Sequence, residues 1–126
     1  MIQHQTTLKS ADNSGAKKLK CIKTFRNSSK KNKILGKTVL IVVKELRNRS
    51  KISSKVLKGT VLKSIIVRTK KSNFTKDGSF FSLFNNSSIL ISGQNKLIGT
   101  RIFGPIPKSL RKNKFLKLVS ISTGFF

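Results

Sequence analysis

The chain has 126 residues, of which 28 are Lys or Arg and three are acidic, so its formal net charge is +25. This excludes an ordinary mixed-charge surface, whose net charge in a small domain has a magnitude of about 2 to 8. It predicts a nucleic-acid partner, because cations that neutralise phosphates release condensed counterions. The length fits one domain, residues 1–126, and the single cysteine, Cys21, excludes an internal disulfide and a cysteine-based zinc site.

Five segments rich in β-branched residues, Leu and Phe predict a mainly β fold. In chain order they are Lys18 to Phe25, Thr38 to Leu46, Val61 to Thr69, Phe80 to Phe84 and Ile89 to Ser92. The runs Val39 to Val43 and Ile65 to Val67 lack polar alternation, which predicts strands buried on both faces or bent around a closed core. We therefore expect a small five-stranded β-barrel, whose closure removes exposed strand edges.

The aromatic and turn residues refine this expectation. Asp77-Gly78 lies between Phe74 and Phe80 and predicts a hairpin turn, in which both central residues need a positive φ. Most of the nine phenylalanines lie inside apolar segments. We therefore expect most of them in the core, and no exposed platform on which the bases of single-stranded nucleic acid could stack.

The last quarter of the chain has a different character. Pro107 can start a helix, and Lys108 to Lys114 has the composition of a short exposed one. Phe115 to Ile121 fits either a strand or a helix, because its apolar residues satisfy both periodicities. The longest apolar run, Val39 to Val43, is far shorter than a membrane span of about 20 residues, so we expect no membrane insertion.

Catalytic and metal sites lack the residues that they need. The three acidic residues, Asp12, Glu45 and Asp77, lie far apart in sequence, and Asp12 and Asp77 are in turn-like contexts that favour local capping. The only histidine, His4, lies near the N-terminus, and no serine has a nucleophile-elbow pattern. We expect neither an enzyme nor a metal or cofactor.

Basic clusters lie at the proposed strand ends and loops, where flexible cations can reach phosphates around a rigid barrel. A single cluster could be a solvated face, but all of them together favour RNA contact. The residues assigned to this contact are Lys17, Lys18, Lys30, Lys31, Arg47, Arg49, Arg68, Lys70, Lys71 and Arg111.

Two strings of residues are more specific. Ala11 to Ala16 is a compact turn with Asp, Asn and Gly, and Gly99 to Pro105 places one Arg between glycine-flanked turns. With further collinear blocks, the chain resembles the L-fourteen family of large-subunit ribosomal proteins, in its bacterial and organellar form, over almost its whole length. The other matching blocks are Met1 to Gln3, Cys21 to Lys23, Val67 to Lys71, Asp77 to Ser79, Leu110-Arg111 and Phe115 to Lys117.

The resemblance implies a five-stranded barrel (about 1–104) with a protruding β-ribbon and short C-terminal helices (about 105–126), and it resolves Phe115 to Ile121 as helix. It implies binding to large-subunit rRNA where the two subunits meet, with Arg68, Lys70 and Lys71 in the RNA-facing basic loop. The other implied partners are small-subunit rRNA through an intersubunit bridge, proteins of the L-three and L-nineteen families, and a ribosome silencing factor contacted by Thr100, Arg101 and Lys117.

Two alternatives concern function and location. The alternative function is a free-standing small-barrel protein that binds single-stranded nucleic acid; a membrane-active cationic protein would need a long basic amphipathic helix. The preference for Lys over Arg, with abundant Asn, Ile, Ser and Phe, is typical of an A and T-rich genome. With no targeting segment visible in Met1 to Leu8, we expect an organelle-encoded protein of the mitochondrial ribosome, or else a cytoplasmic protein of a bacterium with such a genome.

Overall fold

The computed structural model describes residues 2–25, 35–47, 54–75, 77–111 and 115–126. Within these ranges the chain forms strands separated by turns and ends in two short helical segments. The strands are β1 Thr7–Ser10, β2 Ala16–Thr24, β3 Thr38–Leu46, β4 Val61–Arg68, β5 Asn73–Phe74, β6 Phe80–Phe81 and β7 Ser87–Ile91. A 3₁₀ turn covers Lys108–Leu110, and helix α1 covers Leu116–Ser120.

Five strands close the predicted barrel, in the order β1-β2-β3-β4-β7. The closure joins β1 to β7 in parallel, whereas the other barrel neighbours are antiparallel. The fifth barrel strand is β1, whereas the predicted strand Phe80 to Phe84 forms only over Phe80–Phe81 and lies outside the barrel. The four residues of β1 contain one apolar side chain, Leu8, so that strand lacks the β-branched and aromatic composition on which the prediction relied.

The barrel interior is filled by branched aliphatic side chains. Along β3, Val39, Ile41 and Val43 are fully buried, but the intervening Leu40 and Val42 are only half-buried. Of the two alternatives predicted for the run Val39 to Val43, the strand bent around a closed core is therefore confirmed, because only one face of the run is fully buried. The other fully buried interior side chains include Leu8, Leu19, Ile66 and Leu90.

A second core lies on the outer face of β4 and β7. Here the prediction of two buried faces is confirmed, because Ile66 points into the barrel while Ile65 and Val67 belong to the outer core. The C-terminal region supplies the covering side chains, including the fully buried Ile106 and Leu118. Full burial of one such side chain contributes about 1.5 to 3 kcal/mol, so this packing holds the C-terminal region on the barrel.

The helical predictions for this region are confirmed in short form. Pro107 precedes the 3₁₀ turn, and α1 lies within Phe115 to Ile121, as the resemblance implied and periodicity did not decide. Leu118 is the buried residue of α1, while Leu116 and Lys117 are exposed. Residues 112–114 of the predicted basic helix lie outside the described residues.

The placement of the phenylalanines contradicts the sequence-based expectation. All nine lie within the described residues, and none of them is buried. A small barrel leaves an interior just wide enough for side chains to fill, and here that space is taken by Leu, Ile and Val. The phenylalanine rings consequently lie outside the barrel interior, and Phe115 packs against the second core.

Strands β5 and β6 form a separate two-stranded ribbon, as expected for the hairpin around Asp77-Gly78. Gly78 has φ +80, as expected for the second central residue of the turn. Lys76 lies outside the described residues, so the positive φ expected at Asp77 stays a prediction. The Thr75 N–H donates to the Ser79 carbonyl over 2.8 Å, so the connection is longer than the two-residue turn that the Asp-Gly pair predicts.

Candidate nucleic-acid and partner surfaces

The two specific strings of the sequence lie side by side in the structure. The Phe103 N–H donates to the Ala11 carbonyl over 2.7 Å. Asn13 Oδ1 accepts the N–H groups of Thr100 at 2.8 Å and Arg101 at 3.2 Å, and Asn13 Nδ2 donates to Thr100 Oγ1 over 2.9 Å. The side chain of Asn13 therefore fixes the backbone that presents Thr100 and Arg101.

Asp12 lies beneath this junction with its carboxylate completely buried. Its Oδ1 accepts the hydroxyls of Ser10 and Ser14, each over 2.6 Å, and the Ser14 N–H over 3.3 Å, while its Oδ2 accepts the Leu90 N–H over 2.9 Å. The predicted local cap at Asp12 is confirmed, and it extends to β7. A Cβ on Gly99 would lie 2.7 Å from Asp12 Cβ, so the two strings approach too closely for a larger residue there.

Two of the three residues assigned to the silencing factor line one groove beside the second core. Thr100 and Lys117 both line an open groove of about 690 Å³, and Arg101 directly follows Thr100 and is exposed. The remaining lining is largely apolar, with Lys96 as a further cation, and includes Leu97, Phe115, Leu116 and Ile121. The structure thus brings together a loop residue and a helix residue that are far apart in sequence.

The Arg68 side chain is held in place by packing and a hydrogen bond, unlike an exposed loop cation. It is half-buried at the end of β4, its Nη2 donates to the Phe103 carbonyl over 2.8 Å, and burial lowers the pKa of its guanidinium. Gly104 has φ +81, and a Cβ there would collide with Arg68 Nη1. The Arg68 guanidinium therefore packs against the Gly99 to Pro105 string at Phe103 and Gly104.

Arg47 reaches the same string from another side. Its guanidinium carbon lies 5.0 Å from the centre of the Phe103 ring, which is a cation–π geometry. Arg111 lies similarly over Phe125, at 5.8 Å. Phe103 thus contacts two of the predicted RNA-binding arginines, Arg47 through its ring and Arg68 through its carbonyl.

The predicted lysines differ in their surroundings. Lys17, Lys70 and Lys71 are exposed. Lys18 forms an ion pair with Glu45, with 2.9 Å between Nζ and Oε1, and its hydrogen bond lowers the pKa of the Glu45 carboxyl. Lys30, Lys31 and Arg49 lie outside the described residues.

The ribbon carries two exposed aromatic residues that were not predicted from the sequence as functional residues. Phe74 is 73% exposed and Phe80 is 70% exposed, and their ring centres are 6.4 Å apart. The signal that could have identified them is the adjacent pair Phe80-Phe81, because successive residues of a strand point to opposite faces and cannot share one core.

Among residues 2–25, 35–47, 54–75, 77–111 and 115–126, no group of three or more His, Cys, Asp or Glu side chains is arranged to hold a metal ion. Within the same part of the chain, no helix has the length and apolar character required to cross a membrane.

Comparison with known protein families adds one finding. A family model described as ribosomal protein L14p/L23e matches residues 1–126, which is the whole chain. The match includes both strings at the Asn13 junction and the groove next to it.

Proposed function

The chain belongs to the ribosomal protein L14p/L23e family, and we propose that it binds large-subunit rRNA close to the face that meets the small subunit. The family consists of structural proteins of the large ribosomal subunit rather than enzymes, and its partners are rRNA and ribosomal proteins. The family expected from the collinear sequence blocks is thereby confirmed. Its bacterial and organellar type, and the mitochondrial ribosome as the location, belong to the proposal.

The observation that carries the proposed RNA binding is the net charge of +25 on a closed barrel. A rigid barrel holds exposed Lys17, Lys70, Lys71 and Arg111 in fixed positions, so their flexible side chains can meet phosphates with little reordering of the backbone. Such contacts set the position of the protein on folded RNA without reading its sequence. The proposed contacts include Lys30, Lys31 and Arg49 on the same grounds of charge.

The alternative of a free-standing protein that binds single-stranded nucleic acid gains support from the exposed rings of Phe74 and Phe80. Co-sedimentation at high salt distinguishes the two functions. We expect the protein to stay with large subunits in about 1 M monovalent salt, because folded rRNA and neighbouring proteins hold it by shape as well as charge, whereas phosphate contacts alone weaken steeply with salt. Release into the supernatant, with the rest of the subunit intact, would favour the free-standing protein.

The remaining partners follow from family membership and stay proposals. They are neighbouring proteins of the L-three and L-nineteen families and small-subunit rRNA across an intersubunit bridge. For the silencing factor, the support is the groove that Thr100 and Lys117 line, with Arg101 exposed beside it. An apolar floor with cations at its edge fits a protein partner that brings carboxylates, to which Arg can donate two parallel hydrogen bonds.

Replacing Arg101 tests this surface. Arg101→Ala should weaken docking of the silencing factor by about 2 to 4 kcal/mol, which is the usual cost of removing one partner of a desolvated charge pair. Incorporation into large subunits should stay intact, because many other basic residues share the RNA contacts. The measurement is recovery of the factor in a pull-down with assembled subunits.

Lys44→Ala is a matched control, because Lys44 is an exposed cation on β3 that does not line the groove. It should leave recovery of the factor unchanged. Equal recovery with Arg101→Ala and wild-type subunits would remove Arg101 from the docking surface, and so would failure of the Arg101→Ala protein to assemble.

A further inference from the structure

The ribbon of β5 and β6 presents two aromatic rings on one free face. Phe74 and Phe80 are direct cross-strand partners, so their side chains point to the same side. Phe81 points to the other side and packs edge-on against Phe126, with 4.9 Å between ring centres and 79° between ring planes. Phe81 thus anchors the ribbon to the C-terminal residue, while Phe74 and Phe80 are left outside.

The two outer rings have open faces. They are inclined at 59° to each other with centres 6.4 Å apart, so they touch without covering one another. With 73% and 70% of their surfaces exposed, both rings can accept a flat partner. Two adjacent exposed rings are an unfavourable surface in water unless something binds there.

The segment that leads into the ribbon carries two exposed cations, Lys70 and Lys71, shortly before β5. Asn73 Nδ2 donates to Thr69 Oγ1 over 2.6 Å and to the Lys71 carbonyl over 2.9 Å. The Lys70 N–H donates to Asn86 Oδ1 over 2.8 Å. This corner is therefore fixed, and the exposed side chains of Lys70 and Lys71 start from set positions immediately before β5.

Charge complementarity identifies the occupant. The only acidic residue in the ribbon is Asp77 in its turn, whereas Lys70 and Lys71 precede it and the whole chain carries +25. A partner must therefore combine flat apolar faces with negative charge. Unpaired RNA nucleotides have both, because bases stack on aromatic side chains while the phosphates meet cations.

We propose that Phe74 and Phe80 form a stacking site for unpaired RNA bases, with Lys70 and Lys71 holding the adjacent phosphates. The inference rests on the proposed function, which supplies rRNA as the ligand, and adds recognition of unpaired nucleotides to binding that is otherwise blind to base. Paired nucleotides do not fit, because their bases are already stacked inside a helix.

A single tryptophan can report this contact, because the natural chain contains no Trp and no Tyr. Phe80→Trp keeps an aromatic ring at the site and should lose much of its indole fluorescence on addition of a single-stranded oligoadenylate of about 12 nucleotides, the span of a typical single-strand site. An RNA duplex of equal length should change the signal little. Phe25→Trp is the matched control at an exposed ring outside the ribbon, and it should respond to neither RNA.

The energetic test uses the double substitution Phe74→Leu and Phe80→Leu in the full chain. We expect its affinity for the oligoadenylate to fall about tenfold or more, since stacking is lost, while its affinity for the duplex and the salt dependence of binding stay as in the wild type. Thermal unfolding should be nearly unchanged, because both rings are exposed.

Each outcome has a defined meaning. Equal loss of affinity for both RNAs, no loss for the single strand, or an unresponsive Trp at position 80 would overturn the stacking site, the last of these also favouring a protein partner. If the wild-type protein binds RNA with a steep salt dependence in such a case, the proposed rRNA binding survives. A wild-type protein that binds neither RNA would contradict the proposed function itself.

Discussion

Raising the monovalent salt from about 50 to about 200 mM should weaken binding of the free protein to large-subunit rRNA by about 10³-fold or more. A protein that makes about six to ten phosphate contacts loses affinity on this scale, because salt removes the entropy gained from counterion release. The chain has 28 basic residues against three acidic ones, so this number of contacts needs only about a third of its cations. Fluorescence anisotropy with a labelled rRNA fragment over a salt series gives the slope.

Substitutions can divide this slope between residues. Lys70→Gln combined with Lys71→Gln should make the slope shallower by about two contacts, or roughly 1.4 to 1.8 in log affinity against log salt. Lys18→Gln should change the slope less than Lys70→Gln alone or Lys71→Gln alone, because Lys18 is already paired with Glu45. A nearly flat titration of the wild-type protein would contradict binding through phosphates.

The contrast between Lys18 and Lys70 shows what sequence could predict about the candidate surfaces. Composition alone indicated a polyanionic partner, since no arrangement of three acids neutralises so many cations. It could not show that Lys18 meets Glu45 across β2 and β3, or that Arg68 donates to the Phe103 carbonyl. Those pairings join residues 27 and 35 positions apart, and they depend on strand register and on how the C-terminal region folds back.

The fold was predictable where segments are long and apolar. Strands β2, β3 and β4 were identified because each has eight or nine residues with β-type composition. Strand β1 was missed because its four residues contain one apolar side chain, Leu8, and because its pairing with β2 and β7 depends on the fold. The phenylalanines were misplaced because an apolar neighbourhood in sequence does not say which face of a strand a ring occupies.

Asp12 is the residue whose replacement should damage the fold most. Asp12→Ala should lower the free energy of unfolding by about 3 to 5 kcal/mol, because it leaves the hydroxyls of Ser10 and Ser14 and the Leu90 N–H buried without an acceptor. Total stability of a domain is about 5 to 15 kcal/mol, so this loss removes a large part of it. Chemical denaturation of the purified protein measures the change.

Asp12→Asn provides a milder variant that keeps the size of the side chain. One carboxylate oxygen becomes an NH₂ group that faces donors, so we expect a loss of about 1 to 3 kcal/mol. The matched control is Asp77→Asn in the exposed turn of the ribbon, which should alter stability by no more than about 0.5 kcal/mol. Equal unfolding free energies for the Asp12 and Asp77 variants would contradict the structural role of the buried carboxylate.

Asp12→Asn should also alter the backbone of the proposed docking surface. Asp12 lies against Gly99, and the neighbouring Asn13 accepts the N–H groups of Thr100 and Arg101. Weaker hydrogen bonds at residue 12 should therefore let the contact between Asn13 and the Thr100-Arg101 backbone open more often. Hydrogen exchange of the Thr100 and Arg101 amides should be faster in Asp12→Asn than in the wild type. Unchanged protection of these two amides, together with a normal loss of stability, would separate the buried carboxylate from the presentation of Arg101.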